Sequence, residues 1–194
     1  MSSVVDIYKK YQAQTFPYPS LLKIKKAIGC YIFDTNNKKY LDFVAGVSAN
    51  SIGHSNKYIT DAVKDQLDKY THVMVYGEYI QKPQYELAKL LSENLPKSLS
   101  TSYFTNSGTE AIEGAMKLAK RISGRSEIIY FKGSYHGSTQ GALSVMGNEY
   151  YKSKYRPLLP NCKQIIFNDI KSLENITNKT AAVIVETIQG GSGF

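Results

Sequence analysis

Two short runs that are apolar at every position constrain this chain most. Ile128-Ile129-Tyr130-Phe131 and Ala182-Val183-Ile184-Val185 show no alternation of apolar and polar residues. A strand with one face in water alternates; a strand covered on both faces does not. Segments of helical period lie around and between them. Thr109–Ser123 puts Ile112, Ala115, Met116, Ala119 and Ile122 on one side, with Gly124 to close the helix. Ser138–Met146 reads as a short helix and Asp169–Thr177 as a helical turn or two. Strands are predicted at Ser102–Thr105, Glu127–Phe131, Gln164–Phe167 and Ala181–Glu186. Strands alternating with helices predict an α/β fold with a mostly parallel sheet and helical crossovers.

The first part of the chain has a different texture. Ile28–Phe33 and Lys39–Val44 flank Asp34-Thr35-Asn36-Asn37, which predicts a hairpin. Gly53-His54-Ser55-Asn56 reads as a loop ending in a helix N-cap. After it, Ile59, Ala62, Val63, Leu67 and Tyr70 share one helical face. A second helix has Pro83 in its first turn, Leu87, Leu90, Leu91 and Leu95 as its buried stripe, and Pro96 as its stop.

Charge and cysteine usage exclude several classes. The chain has 24 Lys plus Arg against 16 Asp plus Glu, a net charge of +8. Residues 1–100 carry 13 basic and 9 acidic groups and residues 101–194 carry 11 and 7, so the surplus is evenly spread. No basic tail and no nucleic-acid motif accompanies it, which argues against nucleic acid and for a mild attraction to small anions. The longest aliphatic run, Ala181–Val185, cannot span a bilayer. Residues 1–10 include Asp6 and lack an apolar signal core, so no secretory signal and no membrane partner are expected. Cys30 and Cys162 form neither a disulfide framework nor a metal motif, and a reducing cytoplasm is the expected compartment. His54, His72 and His136 lack metal-ligand spacing, so no metal site is expected; His54 and His72 read as cap or surface groups.

Three loops combine residue types suited to chemistry at the carboxyl ends of strands, where ligands collect in open α/β sheets. Asn106-Ser107-Gly108-Thr109-Glu110-Ala111 joins a strand to a long helix. Free N–H groups and the helix dipole there suit an anion, although the same residues suit an ordinary N-cap. Gly133-Ser134-Tyr135-His136-Gly137-Ser138 holds an aromatic ring and an imidazole between glycines. It reads either as the cover of a planar ligand or as a polar turn. Glu186 ends an apolar strand ahead of Gly190-Gly191-Ser192-Gly193, and either orients a polar ligand or caps solvent-facing backbone. Each signal is weak alone; the three together, in this order, are stronger. Dinucleotide, P-loop and nucleophile-elbow fingerprints are absent.

Together these motifs resemble the class III aminotransferases, the pyridoxal-phosphate enzymes of fold type I that include acetylornithine, ornithine and 4-aminobutyrate transaminases. Asn106–Arg121, Tyr135-His136-Gly137 and Val185–Gly190 carry the resemblance, with Gly29–Asp34, Tyr40–Phe43 and Gly53-His54 in the family's order. The resemblance implies that Ser107, Gly108 and Thr109 hold the phosphate of pyridoxal 5'-phosphate. It implies that Tyr135 stacks on the cofactor ring with His136 beside it, and that Glu186 lies near cofactor and substrate. Tyr18 and Val47 fall where the family lines its substrate pocket. Residues 1–50 correspond to the start of the family's small domain and residues 51–194 to the first half of the large one. The family's Asp for the pyridine nitrogen and its cofactor-linking Lys correspond to positions beyond Phe194, so no catalytic residue is assigned here. The chain is expected to be an N-terminal half, inactive alone, with an unpaired strand edge that limits solubility.

The implied activity is transfer of an amino group from an amino acid or ω-amine to a 2-oxo acid such as 2-oxoglutarate, by a homodimer when complete. Gly191 stands where the ornithine and 4-aminobutyrate branches place a second Glu, Thr187 where Pro is usual, and Val47 where ornithine transaminases favour Tyr. These departures count against ornithine and leave an acetylornithine-like donor open. The alternatives are an aminomutase or decarboxylase of the same fold, whose loop Gly133–Gly137 also resembles, and a non-catalytic remnant.

Overall fold

The computed structural model describes residues 3–74, 76–191 and 193. The chain divides into two compact units, Met1–Gln81 and Lys82–Phe194. Ser192 of the glycine-rich loop lies outside the described residues.

The first unit begins with helix α1, Val4–Tyr11. A reciprocal cap starts it: Asp6 N donates to Ser3 Oγ at 3.1 Å and Ser3 N to Asp6 Oδ2 at 2.9 Å. Strands β1 (Ile24–Ile28), β2 (Tyr31–Asp34) and β3 (Lys39–Leu41) follow as an antiparallel meander. The hairpin expected around residues 34–37 is the β2–β3 turn. Asp34 Oδ1 accepts from Asn36 N at 2.8 Å and Lys38 N at 2.9 Å, and Tyr40 OH donates to Oδ2 at 3.0 Å. Burial alone would raise the Asp34 pKa, but the donors Lys38 N, Tyr40 OH and Asn36 N outweigh it and hold the carboxyl below its usual range.

One strand over residues 28–33 is a misreading. Gly29, at φ +56°, turns the chain between Ile28 and Tyr31, which pair across a two-residue connection. Strand β1 therefore precedes this turn, at a stretch whose central lysines hide it. The third strand also ends at Leu41, short of Val44. Residues Ala45, Gly46, Val47 and Ser48 then all take positive φ, from 46° to 67°. This is a left-handed turn that side chains disfavour. Asp42 Oδ1 anchors its entrance by accepting from Val44 N and Ala45 N, both at 3.0 Å.

Helix α2, Lys57–Lys69, starts as expected at Asn56, whose side chain accepts from Tyr58 N and Ile59 N. The first compact unit runs on past residue 50 to Gln81, and residues 54 and 55 bond back to the meander. Gly29 and His54 exchange backbone hydrogen bonds at 2.9 and 2.8 Å, and Ser55 Oγ donates to Ala27 O at 2.8 Å.

The second unit holds α3 (Lys82–Asn94), α4 (Gly108–Ser123), β4 (Glu127–Phe131), α5 (Gln140–Ser144), α6 (Glu149–Lys152), β5 (Cys162–Ile165) and β6 (Thr180–Ile184). A short 3₁₀ turn at Ile170–Asn175, capped by Asp169, takes the place of the helical turn expected there. The three strands form a parallel sheet in the order β5-β4-β6, as the alternating pattern implies. Central β4 is the doubly covered strand. Ile128 and Tyr130 pack with Met116 and Val145 on one face, while Ile129 and Phe131 pack with Ile165 and Phe167 on the other. Lys152, fully buried, donates to Tyr130 OH at 2.7 Å with Glu149 at 3.6 Å, so α6 is pinned over the strand.

Several sequence expectations fail on burial rather than on type. Strand β6 lies at the sheet edge, and its Val183 and the following Val185 are exposed. On α4, Met116 is buried and Ile112 and Ala119 are half-buried, but Ala115 and Ile122 face out. The stripes of α2 and α3 have the right period, yet no residue of either helix is buried. Ser102–Thr105 is not a strand; among the described residues nothing pairs with it as a ladder partner. No described helix is long and apolar enough to cross a membrane.

Candidate functional site

The site is built at the N-terminus of α4. Ser107 is the N-cap, extended at φ −156°, and its Oγ accepts from Glu110 N at 3.3 Å. The Glu110 carboxylate turns back to Asn106 N at 2.8 Å. Ser107 thus satisfies one of the first N–H groups, while the helix offers no acceptor to Gly108 N and Thr109 N. Apart from its chain neighbours and the helix's own backbone, nothing lies within 4 Å of a Cβ built on Gly108, so this side of the turn has room for a ligand. Sixteen helical residues stack their dipoles behind this opening.

The loop after β4 closes the other side. Ser134, fully buried, donates from Oγ to Phe131 O at 2.7 Å. Gly133 N donates to Gly147 O at 3.0 Å and Gly147 N to Ser134 O at 2.8 Å. A Cβ on Gly147 would overlap this backbone, so only glycine lets the two segments meet. With its root fixed, the loop lays Tyr135, His136 and Gly137 against α4. Gly137, at φ +121°, packs so closely on the Thr109 side chain that a Cβ would collide with it. Gly108, Thr109 and Ile112 from α4 and residues 135–138 from the loop line one cleft of about 500 Å³.

Glu186, two residues past β6, joins the same place. Its Oε2 accepts from Tyr135 N at 3.4 Å. The Tyr135 ring stands 56 % exposed, whereas His136 is only 9 % exposed. His136 Nε2 is buried and has no hydrogen-bond partner among the described residues. Burial pushes the His136 pKa down and the Glu186 charge partly opposes it, so the site favours the neutral imidazole. Gln189, also buried, donates from Nε2 to Lys132 O at 2.8 Å and ties the segment after β6 to the loop.

Six residues predicted from sequence therefore meet at one end of the sheet: Ser107, Gly108, Thr109, Tyr135, His136 and Glu186. Tyr18 and Val47 belong to the first unit, at 82 % and 86 % exposure, and Tyr18 lines a shallow hollow there. His54 is more than a cap or surface group. Its Nε2 lies 2.7 Å from Asp42 Oδ2 and its Nδ1 2.8 Å from Asn50 Nδ2. The His54 hydrogen bond, then those from Ala45 N and Val44 N, hold the Asp42 carboxyl below its usual range against a smaller cost of burial. Sequence reasoning missed the supports of the site, namely Ser134, Gly147, Gln189, Glu113 and Thr139. Apart from the Ser134 bond to Phe131 O three residues back, these act through contacts distant in the chain, for which no local spacing is a signal.

The family model for aminotransferase class-III matches residues 12–194. The chain belongs to the class III aminotransferases. The acetylornithine aminotransferase of Archaeoglobus fulgidus is 41 % identical over 190 residues, which are 97 % of this chain and 49 % of that protein. Among solved structures, adenosylmethionine-8-amino-7-oxononanoate aminotransferase of Methanocaldococcus jannaschii matches with a TM-score of 0.87 at 30 % identity, covering 95 % of this chain and 47 % of that one. The ornithine aminotransferase of Toxoplasma gondii, described with partial occupancy of PLP at its active site, matches with a TM-score of 0.84 at 25 % identity, over 97 % of this chain and 46 % of that one. The chain thus spans about half the length of the curated relatives it matches. The α4 opening and the loop of Tyr135 and His136 are features of this class III chain that suit a planar ligand with an anionic tail.

Proposed function

We propose that this chain supplies the phosphate- and ring-binding half of a pyridoxal-phosphate transaminase site. The donor is an acetylornithine-like amine and the acceptor a 2-oxo acid such as 2-oxoglutarate. The observation that carries this reading is the single cleft on which the open α4 N-terminus, the Tyr135–His136 pair and Glu186 converge. The residues fit the cofactor: open backbone donors for a dianion, an exposed aromatic for a ring, and a buried imidazole nitrogen lacking a partner. When bound, pyridoxal phosphate supplies an electron sink for the carbon that bears the amine.

In this reading Gly108 N–H, Thr109 N–H and the hydroxyls of Ser107 and Thr109 donate to the phosphate oxygens, helped by the α4 dipole. Tyr135 covers the ring face and keeps water from it. His136, neutral and desolvated, offers one ring nitrogen beside the ring without adding a charge. Glu186 holds Tyr135 N and presents a carboxylate at the cleft mouth that orients a polar substrate group. Tyr18 and Val47 line the substrate pocket. Residues 1–50 belong to the small domain of the complete protein and residues 51–194 to its large domain, and the complete protein works as a cytoplasmic homodimer. The apolar stripes left exposed on α2 and α3 support coverage by further protein.

The test is to titrate the full-length protein with pyridoxal phosphate and then add acetylornithine and 2-oxoglutarate. The expected result is a cofactor absorbance band and acceptor-dependent turnover. Turnover that needs no acceptor would point to an aminomutase or decarboxylase, and no cofactor uptake would defeat the reading.

A further inference from the structure

Helix α5 is capped by the wrong residue. Thr139 occupies its N-cap position, at φ −68° and ψ 163°, yet its side chain makes no capping bond. The donor at Gly141 N is satisfied instead by Glu113 of α4, whose Oε1 accepts it at 2.9 Å. The hydroxyl of Thr139 is thereby free, and it lies 2.8 Å from Thr109 Oγ1. Thr139 N also donates to Thr109 Oγ1, at 3.4 Å. Gly137 packs on the same Thr109 side chain from the loop.

Two hydroxyls carry two protons, and one proton lies between the two oxygens. A hydroxyl oxygen donates once and accepts twice. Thr109 Oγ1 accepts the Thr139 amide and has room for the Thr139 hydroxyl proton. Either hydroxyl can be the donor of the bond between them; with Thr139 as donor, the Thr109 proton is left for a third acceptor.

We propose that Thr139 is a positioning residue that holds the Thr109 hydroxyl as a donor to a phosphate monoester at the α4 N-terminus, with Glu113 releasing it for that role by capping α5. The inference rests on the phosphate-site reading above and adds two residues to it. Thr139 acts through Thr109 rather than on the ligand, and its effect belongs to the phosphate and not to the ring.

The experiment titrates the full-length protein with pyridoxal phosphate and, separately, with pyridoxal, which has the same ring and no phosphate. Absorbance reports both, independently of turnover. Wild type is expected to prefer the phosphorylated ligand. T139V is expected to weaken pyridoxal phosphate about tenfold, the scale of one hydrogen bond to a charged group, and to leave pyridoxal unchanged. T139S is expected to restore the preference, and T109V/T139V to bind no more weakly than T109V alone. T139A, which keeps the backbone N–H and adds no bulk, serves if the valine variant does not fold. An equal loss for both ligands, or no loss for either, would overturn the role of Thr139. A wild type that fails to prefer pyridoxal phosphate would overturn the phosphate-site reading itself.

Discussion

Position 137 requires glycine on two independent grounds. Its φ of +121° lies in a region that L side chains avoid, and a Cβ there would meet the Thr109 side chain. Gly137→Ala is therefore expected to cost about 1–3 kcal/mol of stability and to displace Thr109 from the cleft. A urea melt and a pyridoxal-phosphate titration of the same variant check both effects, and wild-type affinity would count against the close packing. His136 yields a pH prediction. Its pKa is lowered in the folded state, so protonation favours the unfolded chain. The neutral side chain's contribution is intact above the unfolded value of about 6.5 and declines as pH falls from there toward the folded pKa. An NMR titration of this imidazole should show a midpoint below the free value. Asp42 behaves in the usual carboxylate sense. Its pKa is depressed by His54 and two backbone donors, so its contribution is present above about 3.9 and is lost as pH falls through the folded pKa. The stability gap between D42N and wild type should therefore shrink on acidification from pH 7 to pH 3, as read by urea midpoints.

At the scale of elements, α4 was the most legible piece. A serine cap, a glycine, a sixteen-residue run of helical period and a terminal glycine at φ +65° all agree with the helix formed. Ser107→Ala is expected to cost about 1 kcal/mol, measurable by denaturation, because it strands the Glu110 N–H. Strand β4 was legible for a similar reason: all four residues Ile128–Phe131 are buried, as a run without alternation implies. Strand β1 was not, since Lys25 and Lys26 sit in its middle and its pairing slips between Ile24 and Lys26. The apolar stripes of α2 and α3 carry the helical period without the burial. Periodicity states that a face is made to be covered; it does not contain the covering partner. The site followed the same rule. Its three loops were readable as local patterns, while Glu113, Thr139 and Gln189 entered only through distant contacts.

Across the whole molecule, apolar surface is the dominant feature. Among the described residues of the first unit only Asp34 is buried, and Phe43 and Ile80 are 90 % and 92 % exposed. The sheet of the second unit has β5 and β6 as open edges. Such surfaces and edges drive association. The 194-residue chain on its own is expected to self-associate at micromolar concentration and to show no transaminase turnover with added pyridoxal phosphate. Light scattering and an acceptor-dependent assay check this, and a monodisperse, active monomer would contradict both parts.

The mirror-handed turn at Ala45–Ser48 has a consequence for how this region responds to change. Cutting a side chain back usually weakens a fold, because contacts vanish. Val47 sits 86 % exposed with φ at +56°, so it has few contacts to give up and a torsion that resists it. Replacing it by glycine removes that resistance, worth about 1–2 kcal/mol, against a smaller entropic loss. Val47→Gly should therefore raise the melting temperature, marking this bend as a place where the polypeptide tolerates tension to display an isopropyl group.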